Sequence, residues 1–122
     1  DPDRHAFLVT DAFAWRPERA LGLLVLDPPS LTHGQRSDDA AVKAYRTLHE
    51  DLGGGVARGG LLASSSCTAR LTFAGWQAAV AEGLSRTGDW SWHWVSAEPP
   101  DHPVALVHTE GRYLKFGLLR RR

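Results

Sequence analysis

The stretch LGLLVLDPPS, Leu21 to Ser30, decides the fold. From Leu21 to Asp27 five residues are aliphatic, and none alternates with a polar one. Such a run predicts a strand buried on both faces, as in a parallel sheet flanked by helices. Pro28 and Pro29 donate nothing to a sheet ladder, so the strand stops before them. Asp27 then stands at the carboxyl tip of a buried strand, which is where open α/β sheets bind ligands. Asp before Pro also caps turns, so this stretch alone leaves Asp27 two roles.

Upstream, His5 to Thr10 (HAFLVT) reads as a short strand ending at Asp11. Downstream, residues 31 to 37 read as a polar loop with Gly34, and Ser37 or Asp38 is a good N-cap for a helix. The apolar face of that helix is Ala41, Tyr45, Leu48 and Leu52, at helical spacing. Gly53, Gly54 and Gly55 end or kink it, since each glycine costs a helix interior about 1 kcal/mol relative to alanine. Arg58 to Gly60 reads as a turn, and Leu61 to Ala63 opens a second buried strand that runs into Ser64, Ser65, Ser66 and Cys67. A second helix follows over roughly Thr72 to Ser85, with Phe73, Trp76, Val80 and Leu84 on one face and Gly88 closing it. Trp90 to Val95 alternates, which predicts Trp90, Trp92 and Trp94 on one side of a strand. Such a row can offer a stacking surface, but it is more often core packed against a helix. Tyr113 to Leu119 is the last strand, antiparallel to its predecessor because a long loop, not a helix, joins them. Strands alternating with helices predict one α/β domain over residues 1–122, with a mostly parallel sheet, an antiparallel final pair and helices on the faces.

Parallel strands joined by crossovers point the same way, so Asp11, Asp27 and Cys67 are expected to share one sheet edge. A free cysteine usually serves as a small buried hydrophobe. Cys67, however, lies at a strand end among hydroxyls, where a thiol is accessible enough to act as a nucleophile.

Composition narrows the classes. The 122 residues carry 14 basic and 14 acidic side chains, so bulk charge does not announce a nucleic-acid partner. The closing run Arg120 to Arg122 reads as a solvated terminus. One cysteine excludes an internal disulfide and suits a reducing compartment. Six scattered histidines and one cysteine make a poor metal signature, so no metal is expected. No run approaches the roughly 20 apolar residues of a membrane span. No signal peptide is visible, and a soluble cytoplasmic protein is expected. GGGVARGG (Gly53 to Gly60) lacks the ending of a phosphate loop, and no G-x-S-x-G elbow is present. The absence of methionine suggests a piece of a longer protein.

The ordered set LLVLDPPS, AYRTL, GGLLASSSC, DHPV and EGRYLK resembles the C-terminal half of class I S-adenosylmethionine-dependent methyltransferases. The similarity is greatest to the enzymes that make 5-methylcytosine in 23S ribosomal RNA, and runs from about Phe7 to Leu118. DPP alone is a weak signal; the five motifs in order are a specific one. The resemblance implies a Rossmann-like sheet, S-adenosyl-L-methionine as cofactor and ribosomal RNA as substrate. It matches Asp11 and Phe13 to the adenine site, and Asp27 and Pro28 to the junction of cofactor and base. It matches Cys67 to the nucleophile, with Asp27 assisting the target ring. Pro29, Ser30, His102, Tyr113 and Lys115 fall on the substrate side, and Asp101 to Pro103 on a loop beside the site. The family's glycine-rich cofactor motif would precede residue 1, and Gly53 to Gly55 sit where the family has a continuous helix. The strand at Leu21 to Leu26 would then expose an edge, open to a second copy or to the Phe7 strand. A non-catalytic fragment and a methyltransferase with another substrate remain alternatives.

Overall fold

The computed structural model describes residues 5–31 and 38–122. The expected loop around Gly34 and the cap at Ser37 lie outside the described residues. The elements are β1 (Leu21–Leu26), α1 (Asp38–Gly53), β2 (Val56–Ser66), α2 (Phe73–Ser85), β3 (Trp90–Ser96), a 3-10 turn (Thr109–Gly111) and β4 (Lys115–Arg121). They form a four-stranded sheet in the order β1-β2-β4-β3. β1 and β2 are parallel, while β4 runs antiparallel to both β2 and β3.

Both helices form where the spacing predicts. Ala41, Tyr45, Leu48 and Leu52 are buried along α1, and Trp76, Val80 and Leu84 along α2. Thr72 caps α2, its hydroxyl accepting from the Gly75 N–H at 3.0 Å, a contact worth about 1 kcal/mol. The helices pack on each other over one sheet face, where they enclose Leu24, Leu26, Leu62 and Leu119. Each such side chain contributes about 1.5–3 kcal/mol by leaving water.

The opposite face departs from expectation. Leu23 and Val25 are 56% and 62% exposed, so β1 is buried on one face only. The apolar run is suited to two covered faces, and among the described residues helices cover one. His5 to Thr10 is not a strand: it is exposed coil and not one of the four strands of the sheet. Its apolar residues Phe7, Leu8 and Val9 stay exposed, and among the described residues no strand pairs with them. β1 therefore keeps an open edge, as expected, and the Phe7 segment does not repair it.

Two irregularities were hidden in the pattern. The turn expected at Arg58 to Gly60 is a bulge inside β2. The pairing steps from Leu21–Val56 to Leu23–Leu61, and Gly59 takes φ 81°, a conformation that favours glycine. The second bulge lies at His93, between the pairs Trp92–Leu119 and Trp94–Leu118. It turns Trp94 to the face opposite Trp92, so the three tryptophans do not form one row. Trp92 packs on Trp76 of α2, with ring centroids 5.8 Å apart, whereas Trp94 is 62% exposed. The arginine run is also not simply solvated. Arg121 donates to the carbonyls of Gly54 (2.9 Å), Val56 and Thr87 (2.7 Å), pinning the ends of both helices to β4.

Candidate active site at the carboxyl edge of the sheet

β1 and β2 are parallel, so Asp27 and Cys67 leave the sheet at the same edge. β4 runs the other way and begins there with Lys115. These three residues line one cavity of about 340 Å³ together with Ser65, Ser66, Trp94 and Phe116. The Ser65 hydroxyl donates to the Asp27 carboxylate and lies 3.4 Å from the Leu26 carbonyl, tying the two strand tips together. Trp94 meets Phe116 edge to face at 6.2 Å, forming an apolar wall opposite the polar one.

Asp27 also borders a second cavity of about 380 Å³, lined by Asp11, Phe13, Val25, Pro28, Pro29 and Leu48 among others. Asp11 belongs to a turn in which its Oδ1 accepts from the Phe13 N–H at 3.0 Å and its carbonyl from Trp15 at 2.9 Å. The two acids and the thiol expected at one edge thus border two adjoining cavities, with Asp27 on both.

Lys115 is only 4% exposed. Its Nζ donates to the Thr68 carbonyl at 2.9 Å and the Tyr113 carbonyl at 2.7 Å. Burial pushes its ammonium below the usual lysine range, with Cys67 and Glu98 acting the other way. Tyr113 and Lys115 line a neighbouring cavity of about 430 Å³ with Phe73, Glu98 and Arg112. His102 and Tyr113 meet edge to face at 5.5 Å, and neither lines the Cys67 cavity. Ser30 is half-buried on the loop that follows Pro29. Behind Cys67 lies a buried polar layer. Tyr45 reaches Thr68 at 3.4 Å, and His49 bridges the Tyr45 carbonyl (2.7 Å) and the Ser64 hydroxyl (2.9 Å). Burial raises the Tyr45 phenol and lowers His49 to about 4. No group of three or more His, Cys, Asp and Glu among the described residues is arranged to hold a metal.

Sequence reasoning missed Phe116 and Thr68, and favoured core over a stacking surface for Trp94. The bulge at His93 leaves no mark in the alternation, and a threonine after a cysteine has no pattern of its own. The paired apolar-then-hydroxyl composition of β2 was the one available signal for the polar layer.

No protein-family model matches the chain. It is 34% identical over 125 aligned residues to a ribosomal RNA large subunit methyltransferase of Deinococcus radiodurans, covering 95% of this chain and 29% of that protein. It is 31% identical to ribosomal RNA large subunit methyltransferase I of Pseudoalteromonas atlantica, over 75% of this chain and 24% of that one. The chain thus spans less than a third of the length of the curated relatives it matches. Among solved structures it superposes on a methyltransferase in complex with SAH with a TM-score of 0.67 at 19% identity. That alignment takes in 83% of this chain and 26% of the other. A SAM-dependent methyltransferase from Streptococcus mutans gives 0.59 at 20% identity, over 83% and 25%. The chain is therefore related in sequence to the large-subunit ribosomal RNA methyltransferases, and its sheet and two helices are part of a class I methyltransferase fold.

Proposed function

We propose that residues 1–122 supply the target-base side of an S-adenosylmethionine-dependent methyltransferase domain acting on C5 of a cytosine in large-subunit ribosomal RNA. The observation that carries this reading is the position of Asp27 between two cavities, one holding Cys67 and the other Asp11. Methyl transfer needs such an arrangement, with cofactor and target base approaching a common wall from two sides.

The second cavity suits the adenine end of the cofactor. Its walls are mainly apolar, and the Asp11 carboxylate, held by the Phe13 N–H, is an acceptor for an amino group. Asp11 and Phe13 would hold that end, and Pro28 with Asp27 the junction toward the target base. When bound, S-adenosylmethionine supplies an electrophilic methyl group.

In the first cavity the Cys67 thiolate adds to C6 of the ring, and the electron pair displaced from the C5–C6 bond makes C5 nucleophilic. After C5 gains the methyl group, a base removes the C5 proton, the double bond re-forms and the thiolate departs. Asp27 donates to or accepts from the ring at N3, with Ser65 fixing its carboxylate. Trp94 and Phe116 give the splayed base an apolar, aromatic wall. Pro29, Ser30, His102 and Tyr113, none of which lines this pocket, would serve the flanking nucleotides.

The test is methyl transfer by the full-length protein to ribosomal RNA carrying tritium at cytosine C5. Release of tritium to water, abolished by Cys67→Ala, is the expected outcome. Methylation that retains all the tritium, or that survives Cys67→Ala, overturns the C5 adduct mechanism.

A further inference from the structure

Thr68 follows Cys67 directly, is fully buried, and has every polar atom engaged. Its N–H donates to the Ser66 hydroxyl at 3.2 Å, at the end of β2. Its carbonyl accepts from Lys115 Nζ at 2.9 Å, at the start of β4, and from the Leu71 N–H at 3.2 Å, just before α2. Its hydroxyl accepts from the Leu31 N–H at 3.4 Å, on the loop after Pro28 and Pro29, and pairs with the Tyr45 hydroxyl of α1 at 3.4 Å. One residue thereby fastens the segment after β1, the end of β2, the start of β4 and both helices. Those segments carry Asp27, Cys67 and Lys115, the polar wall of the first cavity.

We infer that Thr68 is the positioning residue of this site: its hydroxyl sets the Cys67 sulfur at the distance from Asp27 that the addition to the base requires. The inference rests on the methyl-transfer reading above. Thr68 touches no substrate; it acts through the backbone of its neighbour. A hydroxyl is needed because the Leu31 N–H ends at this atom and the Tyr45 phenol shares it with Ser66; a methyl group there would leave the Leu31 N–H without this partner and the phenol held by Ser66 alone. Misplacing a nucleophile by about 1 Å costs on the order of 100-fold in rate.

The experiment uses the full-length protein and RNA with 5-fluorocytosine at the target, which traps the covalent adduct because fluorine at C5 cannot leave as a proton. The endpoint of trapping counts folded, competent sites, and its rate reports positioning. Thr68→Val is expected to slow trapping and lower kcat about 100-fold with the endpoint and the KM for RNA unchanged. Thr68→Ser restores the hydroxyl and is expected to trap at nearly the native rate. Should Thr68→Val fail to fold, Tyr45→Phe removes one arm of the node and is expected to slow trapping about tenfold. A native rate in Thr68→Val, or in Tyr45→Phe where it stands in, overturns the inference. So does a lower endpoint at native rate, which would mean a role in folding alone. Cys67→Ala separates the two readings. If it still methylates, the adduct mechanism fails and the Thr68 role with it. If it is dead while Thr68→Val is unimpaired, only the Thr68 role fails.

Discussion

His49 shows how one buried side chain makes the whole chain sensitive to acid. Its ring is sealed between α1 and β2, with Nδ1–H donating to the Tyr45 carbonyl and Nε2 accepting from Ser64. Burial lowers its pKa to about 4, against an ordinary 6.5. The unfolded chain therefore gains a proton near pH 6.5 that the folded chain refuses until about pH 4. Its contribution is complete above pH 6.5 and is lost as pH falls through that window, amounting to about 2 kcal/mol by pH 5. Urea midpoints at pH 7.5 and 5 should differ accordingly in the native chain, and by much less in His49→Leu. An equal pH dependence in both would show that His49 is not the group responsible. Asp27 and Cys67 were legible as neighbours at one sheet edge because a strand tip is announced by where the apolar run stops. Thr68 and His49 were not, since their roles depend on partners from distant segments that no local pattern names. Trp94 was misread for a related reason: its face is set by a bulge one residue earlier.

At the level of elements, the two helices were legible nearly to the residue, because apolar spacing and a following glycine agree for each. How closely they cross was not. Gly83 of α2 lies against α1, where an added Cβ would stand 3.0 Å from the His49 Cβ and 3.1 Å from the Glu50 N, and closer still to the Arg46 carbonyl. Backbone on two sides leaves little room to yield. Gly83→Ala is thus expected to destabilise the chain by about 1–3 kcal/mol, despite alanine's better helix propensity. Chemical denaturation checks this, and a stabilised Gly83→Ala protein would mean the helices separate more easily than their packing indicates. The strand expected at His5 to Thr10 fails for the opposite reason. A strand is not a local object, and its composition specifies pairing that needs a neighbour within about 5 Å.

For the molecule as a whole, one sheet face and one edge are unfinished. Leu23, Val25 and Trp94 lie exposed on the face away from the helices, and β1 offers unpaired backbone along its outer side. The apolar run of β1 records a fully enclosed sheet, which is why burial on both faces was expected and only one was found. An apolar open edge recruits another strand. The isolated 122-residue chain is expected to dimerise through β1, and Leu23→Lys combined with Val25→Lys to return it to a monomer. Light scattering after size exclusion decides; a native monomer at high concentration would show that the edge is protected. The strand order also sets a timetable for synthesis. β4 comes last along the chain yet lies between β2 and β3. Until residues 115 to 121 have left the ribosome, β3 has no strand to pair with and β2 keeps the edge away from β1 bare. The Cys67 cavity lacks its Lys115 and Phe116 wall for the same interval. Nascent chains stalled before residue 115 should therefore be the species most in need of a chaperone.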